Sequence, residues 1–365
     1  MRVNIVGSGP SGCSTAISLL SRRRDAEVTL YDREAYGRIE RCGGGISDYM
    51  LPLTGVGEVP RRLVMSPIRR VRIHAGGCFW EMDCGSSGLE RYGVVLDRAG
   101  FDRWLMGKAE RLGATILEEG VSDPSRLEGD FLVGADGVNS VVRKMLGLPD
   151  PNPADLHFCV QTKVEWGGYP DGEINLYFGD VAPKGYAWTF PAGGLVKVGL
   201  GVPLSLRLNP ARLLKRFMDD QRIPEGGGMI AKLIPTSRPM ESCVFGKTAL
   251  VGDAALFCDP CTGGGIANAL IGGLLLGEAL SRGDLQWYEK MWRRSIGRRN
   301  SRRYLLKKIL SGLGEEEYRE VLETLRGFSP RSMVIEREVA QLLNRVFPRS
   351  PRLIGKILKA LVSTS

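Results

Sequence analysis

Histidine is nearly absent from this chain, which has only His74 and His157 among its 365 residues. Serine–histidine triads and histidine-rich metal sites are therefore poor candidates, because both need imidazole groups in a defined arrangement. Long apolar runs are also absent, and none approaches the roughly 18 uncharged residues of a transmembrane helix. The eight cysteines are scattered and form no disulfide framework. That usage is typical of a reducing compartment.

The amino terminus lacks the features of a signal peptide. Met1 leads straight into an apolar strand, without the charged region, apolar core and cleavage site that such a peptide needs. We therefore expect a cytoplasmic protein. A hydrophobic content of 43% and a charged content of 25% are those of an ordinary globular protein. The length allows two domains or one elaborate one.

Positive charge is concentrated towards the carboxyl terminus. The net charge is +9, and residues 293–308 contain eight basic side chains and no acid. Such a patch faces an anionic membrane, a nucleic acid or simply water. No recognised nucleic-acid-binding module accompanies it, so we expect no nucleic-acid partner. A second amphipathic stretch is predicted at residues 352–362.

A glycine-rich turn follows the first predicted strand and opens a helix. The spacing G-x-G-x-x-G at Gly7, Gly9 and Gly12 permits a tight turn, close approach of a pyrophosphate, and close helix–strand packing. Asp32 closes a second apolar strand, at about the twenty-residue distance where an acid meets ribose hydroxyls. The combination predicts a dinucleotide site, and the alternative is a chance glycine turn.

Two further glycine runs occur in the chain. Residues 41–47, RCGGGIS, suggest a place where backbone lies against something flat or large. Cys42 in this run is either a small buried hydrophobic residue or a reactive thiol beside a cofactor. A strand at 248–251 ends in Gly252-Asp253, and residues 262–266 then enter an apolar helix predicted over 267–280. Two glycine-rich helix starts far apart in sequence predict a long dinucleotide held at both ends.

An acid between glycines, Asp136, follows another predicted strand. It marks either a backbone contact with the cofactor or a plain turn.

Cys258 and Cys261 form a single C-x-x-C pair, which is a poor zinc site. The pair is either a dithiol that reports to the cofactor or two buried thiols, and we expect the latter.

Strand-like segments recur between residues 154 and 206 and predict an antiparallel sheet. Alternation places Tyr186, Trp188 and Phe190 on one face of it. Such an aromatic row either belongs to the core or lines an apolar pocket, and base rates favour the core. Residues 65–84 alternate in the same way, with a hairpin turn at Gly76-Gly77.

In combination, the segments GSGPSG, RCGGGIS, LDRAGFD, YAWTFP and GDAALFCDPCTGGGI resemble the geranylgeranyl reductase family of FAD-dependent oxidoreductases. The resemblance implies an α/β fold, with a Rossmann-like FAD-binding domain of the glutathione-reductase and p-hydroxybenzoate-hydroxylase type, an antiparallel-sheet substrate domain and a helical carboxyl terminus. The implied FAD-binding domain comprises residues 1–64, 86–150 and 240–285, and the substrate domain comprises residues 65–85 and 151–239. The basic helical region then covers residues 286–365.

The resemblance also implies roles for matching residues. FAD would contact Gly7, Gly9, Ser11 and Gly12 with its pyrophosphate, Asp32 with its ribose and Val121 with its adenine, and would meet Cys42, Gly43, Gly45, Arg98, Asp253, Gly265 and Ile266 along its remaining length. Tyr186, Trp188 and Phe190 would line the substrate pocket, which favours the pocket interpretation of the aromatic row. No metal is implied.

The implied activity is saturation of geranylgeranyl double bonds on a membrane lipid or its precursor. An isolated alkene needs a proton as well as a hydride, and Cys42 and Tyr186 are the candidate proton donors. The electron donor is left open between ferredoxin, NAD(P)H and a quinol. Basic terminal helices favour peripheral attachment to an anionic membrane. The alternatives are an FAD-dependent aromatic hydroxylase or halogenase, a prenylquinone side-chain reductase, and a flavin-bearing redox partner that uses Cys258 and Cys261.

Overall fold

The structure, a computed structural model, describes residues 1–326. Its strands are β1 (Arg2–Val6), β2 (Glu27–Tyr31), β3 (Gly45–Ser47), β4 (Val64–Ile68), β5 (Arg70–Ala75), β6 (Cys78–Asp83), β7 (Gly93–Leu96), β8 (Thr115–Leu117), β9 (Phe131–Gly134), β10 (Leu156–Val164), β11 (Glu173–Tyr177), β12 (Tyr186–Ala192), β13 (Leu195–Pro203), β14 (Ile230–Pro235), β15 (Val244–Phe245) and β16 (Thr248–Leu250). Its α-helices are α1 (Pro10–Arg22), α2 (Arg98–Arg111), α3 (Val141–Met145), α4 (Pro210–Asp220), α5 (Ile266–Arg282), α6 (Leu285–Trp292), α7 (Arg298–Leu310) and α8 (Glu315–Thr324). A π-helical turn at Arg293–Gly297 joins α6 to α7.

One sheet has the strand order β15-β16-β9-β1-β2-β8 and is parallel except for the β15–β16 hairpin. Its central strand β1 has an apolar sequence, RVNIV, because helices and loops cover the sheet. Val3 and Ile5 are fully buried there. This sheet holds the glycine-rich turn, which lies between β1 and α1.

Helices α1 and α5 pack closely and run in the same direction. Gly273 and Gly277 of α5 lie against α1, and a Cβ at Gly273 would come within 2.5 Å of the Ser11 carbonyl oxygen. Ser14 and Ser18 of α1 donate hydrogen bonds of 2.7 Å to carbonyl oxygens of α5. The amino-terminal ends of both helices therefore point towards the same region of the molecule.

A seven-stranded sheet has the order β14-β10-β13-β12-β11-β5-β6. It is antiparallel, as predicted, except that β5 and β11 run parallel. The β5–β6 hairpin turns at Gly76-Gly77 and reaches the sheet from the earlier part of the chain, so no short turn fixes its direction against β11. The preceding strand β4 pairs with β7 in a separate three-stranded sheet with β3.

None of the helices between residues 1 and 326 combines the length and the apolarity that crossing a bilayer requires. The apolar helix predicted over 267–280 extends from Ile266 to Arg282. The amphipathic stretch predicted at 352–362 lies outside the described residues.

Candidate active site

A cavity of about 1190 Å³ is lined by residues of both large sheets. Ligand pockets usually measure about 300–1,000 Å³. The cavity therefore has room for a long cofactor together with a second ligand.

The turn between β1 and α1 forms one end of the cavity. Gly7 has a φ of 104°, and a Cβ on it would clash with the backbone of Ala135. A Cβ on Gly12 would clash with the carbonyl oxygen of Gly7, whereas a Cβ on Gly9 would meet only Nη1 of Arg38, at 3.4 Å. The fold therefore requires Gly7 and Gly12, while Gly9 keeps the cavity open at the start of α1. Backbone N–H groups at such a helix start favour an anion.

Asp32, at the end of β2, lies beside this turn. Its Oδ2 accepts hydrogen bonds from the backbone N (2.9 Å) and Oγ (3.0 Å) of Ser8, and it also pairs with Arg38. Burial favours the neutral acid, but Arg38 and the hydrogen bonds outweigh it and lower the pKa of Asp32. An ionised carboxylate in this position is suited to accept hydrogen bonds from ribose hydroxyls. Sequence reasoning misses Arg38, because no pattern separates it from the other arginines.

A buried ion-pair network holds the loop that follows Asp32. Lys197 is fully buried, and its Nζ lies 2.6 Å from Oε1 of Glu40 and donates to the Gly43 carbonyl at 3.1 Å. Lys163 Nζ lies 2.6 Å from Oε2 of the same carboxylate. Burial favours neutral Glu40, but the two lysines outweigh it and lower the pKa of Glu40. Sequence reasoning misses all three charged residues.

Two of the three glycines of this loop lie against an aromatic ring of the protein itself. A Cβ on Gly43 or Gly45 would come within 3.0 Å or 3.4 Å of the Phe190 ring. Cys42 precedes them, and its sulfur lies 3.4 Å from the backbone N of Gly44. Burial opposes the charge of Arg98, but Asp102 and Cys42 outweigh it and raise the pKa of Arg98. The thiol therefore lies beside a permanent cation at the cavity wall.

The seven-stranded sheet supplies an aromatic wall. Tyr186, Trp188 and Phe190 share one face of β12, as alternation predicts, and all three line the cavity. The residues opposite them on β13 are Gly201, Gly199 and Lys197. A Cβ on Gly199 would clash with the indole of Trp188, so the glycine makes space for the ring. The sequence of β13, LVKVGLGVP, alternates apolar residues with Lys, Gly and Gly. This alternation indicates a strand face with space for the rings of the neighbouring strand.

The polar atoms of two wall residues are bonded to protein groups. The Tyr186 hydroxyl donates to the carbonyl oxygen of Thr262, and Trp188 Nε1 donates to Oε1 of Gln161 at 3.3 Å. Burial raises the pKa of Tyr186 well above its ordinary value. Both residues therefore present ring surface to the cavity, and the Tyr186 hydroxyl is held as a neutral donor to backbone.

The second glycine-rich turn also borders the cavity. Asp253 lies after β16, with Oδ2 3.5 Å from Nζ of Lys232, and this carboxylate raises the pKa of Lys232. A Cβ on Gly265 would lie 3.2 Å from Oδ1 of Asp253. Gly265 and Ile266 line the cavity at the start of α5. The starts of α1 and α5 therefore both border one cavity.

The remaining predicted contacts differ in their surroundings. Val121, in the loop between β8 and β9, and Arg98, at the start of α2, both line the cavity. Asp136 also lines it, but its Oδ2 accepts from the backbone N of Val141 at 2.6 Å and so caps α3. The plain-turn interpretation of Asp136 therefore accounts for this oxygen. Arg143 of α3 is buried and donates to the carbonyl oxygens of Val138 and Ala254.

The basic carboxyl-terminal segment faces in two directions. Arg299, Arg303 and Lys307, spaced every four residues on α7, line the cavity. Arg303 pairs with Asp259, and Lys307 Nζ lies 2.7 Å from Asp155. The solvent-facing interpretation therefore does not apply to these three side chains, because Arg303 and Lys307 pair with acids of the cavity wall and Arg299 donates to Oδ1 of Asn268.

Although histidine is rare in this chain, His157 has a structural role. Its Nδ1 lies 2.8 Å from Oγ1 of Thr236 and its Nε2 lies 3.2 Å from the Lys184 carbonyl oxygen. Burial and Lys307 lower the pKa of His157 to about 4.

Cys258 and Cys261 are not joined by a disulfide, and burial raises the pKa of both thiols, that of Cys261 to about 12. Such thiols are poor nucleophiles, which supports the buried-thiol interpretation for Cys258, whereas Cys261 is only partly buried.

Comparisons with known proteins identify relatives of this chain. Residues 155–234, which form β10 to β14, match the family model described as the geranylgeranyl reductase catalytic domain. A digeranylgeranylglycerophospholipid reductase from Methanothrix thermoacetophila is 32% identical, over 95% of this chain and 96% of its own length.

Solved structures share the fold. A geranylgeranyl bacteriochlorophyll reductase-like protein from Thermoplasma acidophilum superposes with a TM-score of 0.85 at 22% identity, covering 98% of each chain. Klebsiella pneumoniae HpxO, solved with FAD and uric acid, superposes with a TM-score of 0.66 at 17% identity, covering 95% of this chain and 97% of its own. At these identities the likeness establishes the fold alone.

Proposed function

The chain belongs to the digeranylgeranylglycerophospholipid reductase family, and from that membership we propose that it saturates the double bonds of geranylgeranyl chains on a glycerophospholipid. The enzyme is an oxidoreductase that acts on carbon–carbon double bonds. Each reduced bond gains a hydride on one carbon and a proton on the other. The aromatic hydroxylase or halogenase alternative shares the fold, but the relatives do not favour it.

The residues present fit FAD as the resident cofactor. Gly9 leaves the start of α1 open for a pyrophosphate, and Asp32 is ionised at the end of the neighbouring strand. The start of α5, at Gly265 and Ile266, borders the same cavity. We propose that these groups hold FAD, together with Gly7, Ser11, Gly12, Cys42, Gly43, Gly45, Arg98, Val121 and Asp253. When bound, reduced FAD supplies hydride.

The aromatic wall is suited to an isoprenoid chain. Because protein partners already engage the Tyr186 hydroxyl and Trp188 Nε1, a ligand here meets mainly ring faces. Ile174 and Leu176 of β11 extend the apolar lining. A chain packed on these groups is shielded from water, which protects a carbocation-like centre during protonation. We propose Tyr186, Trp188 and Phe190 as the substrate-binding wall.

Cys42 is the better placed of the two candidate proton donors. The Tyr186 proton is committed to the Thr262 carbonyl, and the raised pKa of Tyr186 opposes its release. The Cys42 thiol lies beside the Arg98 guanidinium, and both residues line the cavity. We propose that Cys42 delivers the proton and that Arg98 compensates the resulting negative charge.

The reaction needs two external partners, a lipid substrate and an electron donor. A lipid substrate and the exposed basic residues of α7 favour a cytoplasmic protein that binds a membrane peripherally. The electron donor is to be tested among ferredoxin, NAD(P)H and a quinol.

One observation carries the proposal: the match to the catalytic-domain model covers β10 to β14, which form the cavity wall. The test is anaerobic incubation of dithionite-reduced, FAD-loaded protein with detergent-dispersed digeranylgeranylglycerophospholipid, followed by mass spectrometry. We expect product masses that increase by two hydrogen atoms per reduced bond. Oxygen-dependent product that carries an added oxygen atom would instead identify a monooxygenase.

The catalytic assignment is tested with Cys42→Ser and Cys42→Ala, and Cys84→Ala serves as a matched control on a buried cysteine away from the cavity. We expect loss of turnover per bound flavin in both Cys42 variants. Full turnover in Cys42→Ala would exclude the thiol as the proton donor.

A further inference from the structure

Three exposed apolar side chains extend from the lining of the cavity to the protein surface. Ile39 is 55% exposed, Tyr49 55% and Leu53 50%, and all three also line the cavity. The other large apolar side chains that are exposed among residues 1–326 do not line it. We call these three residues the apolar lip. Exposed apolar groups gathered at a ligand entrance mark a contact with an apolar partner.

Three exposed arginines lie on the same carboxyl-terminal segment whose other arginines line the cavity. Arg298 and Arg302, one turn apart on α7, are exposed, as is Arg294 in the preceding π-helical turn. Within residues 1–326 no acid lies within ion-pair distance of these three arginines. Their neighbour Arg299 contacts the sulfur of Met50 at 3.6 Å and so fixes this part of α7 against the segment that carries Tyr49 and Leu53. We call Arg294, Arg298 and Arg302 the basic stripe.

Apolar groups next to unpaired cations match one kind of partner, the surface of an anionic bilayer. Phosphate headgroups attract arginine, and apolar side chains beside them insert into the acyl boundary. Tyrosine suits that boundary because one end of its side chain is apolar and the other is polar. A water-soluble protein partner would require acids to match the basic stripe and would have no reason to meet a cavity mouth.

We propose that the apolar lip and the basic stripe together dock the protein on an anionic lipid bilayer, with the cavity mouth against the membrane. An apolar chain then passes from the bilayer to the aromatic wall without crossing water. The inference rests on the proposed function only in requiring a lipid ligand. The membrane contact itself is measurable without turnover.

The test is flotation of the FAD-loaded protein with vesicles of phosphatidylcholine, with and without phosphatidylserine. Arg298→Gln with Arg302→Gln should weaken binding to the anionic vesicles about five-fold per arginine and reduce its salt dependence. Tyr49→Gln with Leu53→Gln should weaken binding roughly ten-fold and leave the salt dependence in place. Flavin content and circular dichroism verify the fold of each variant.

Matched controls use the same changes elsewhere on the surface. Arg24→Gln with Arg103→Gln removes two exposed arginines, and Phe79→Gln with Leu208→Gln removes two exposed apolar groups away from the cavity. We expect wild-type flotation from both pairs. Equal losses in test and control pairs would overturn the assigned surface.

The two proposals fail separately. Wild-type protein that reduces detergent-dispersed lipid but does not float with anionic vesicles would overturn the docking surface and leave the function in place. Protein that floats through this surface but reduces no geranylgeranyl chain would overturn the function and leave the docking surface. Flotation that depends on the apolar lip alone, with no effect of charge, would contradict the role of the basic stripe.

Discussion

Replacement of Lys197 by Met should destabilise the protein through the glycine loop. The change removes a fully buried ammonium that lies 2.6 Å from Glu40 and donates to the carbonyl oxygens of Gly43 and Leu96. The methionine side chain has a similar volume, so the main effect is electrostatic. It leaves a mostly buried carboxylate with one lysine fewer and two carbonyl oxygens without this donor.

The magnitude follows from the remaining partners of Glu40. Removing one member of a buried ion pair costs about 3–5 kcal/mol. Lys163 still lies 2.6 Å from the other carboxylate oxygen, so we expect the lower end, a loss of about 3 kcal/mol in the free energy of unfolding. Against a typical total of about 5–15 kcal/mol, that is a large fraction.

Urea unfolding of the FAD-free protein, followed by circular dichroism, measures this loss. Lys163→Met is the matched control, because its ammonium binds the same carboxylate but its side chain is 39% exposed. We expect that variant to lose about 1 kcal/mol or less, as exposed pairs do. Restoring stability with Glu40→Gln in the Lys197→Met background would confirm that the unpaired carboxylate is the cause. Equal losses for the two lysines, or a loss below about 1 kcal/mol for Lys197→Met, would refute the reasoning.

Three further predictions test other parts of the site. Burial holds the pKa of His157 at about 4, below its ordinary 6.5, so the free energy of unfolding should fall by about 3 kcal/mol as pH decreases from 6.5 towards 4. His157→Gln should flatten that pH profile in urea titrations, and an unchanged slope would contradict the assignment. Gly9→Ala should unfold like wild type but bind FAD at least about ten-fold more weakly by fluorescence titration, whereas Gly12→Ala should destabilise the apoprotein itself; equal apoprotein stabilities would contradict the distinction. Gly199→Ala should displace the Trp188 ring and change its fluorescence maximum, and wild-type emission would show that the close contact is relieved elsewhere.

Local patterns predicted the parts of the fold that neighbouring residues determine. The turn at Gly7 to Gly12, the acid at Asp32 and the single face shared by Tyr186, Trp188 and Phe190 each follow from spacing within one or two elements. Glycine requirements and strand alternation are properties of a short stretch of chain. For this reason sequence alone indicates them.

Contacts between distant segments could not be predicted in the same way. Glu40 meets Lys197 only because the loop after β2 and strand β13 border the same cavity, and a charged residue in sequence is by default a solvent-exposed one. In the structure Lys197 lies on the face of β13 that is opposite its buried valines, and no pattern in the sequence identifies the partner that makes burial of the charge tolerable. A buried charge needs such a partner, and only the tertiary structure supplies it.

The basic segment of α7 shows why composition alone cannot assign a surface. Arg298 and Arg302 repeat every four residues, and so do Arg299 and Arg303, so the two rows are equivalent as helical patterns. Asp259 pairs with Arg303 at the cavity wall, and Met50 contacts Arg299, which turns one row inwards and leaves the other exposed. The same run of charge therefore both builds the cavity wall and supplies the cations of the proposed membrane surface. Neutralising the inner row, Arg299 and Arg303, should change the free energy of unfolding and the affinity for ligands of the cavity. Neutralising the outer row, Arg298 and Arg302, should change only the binding of vesicles.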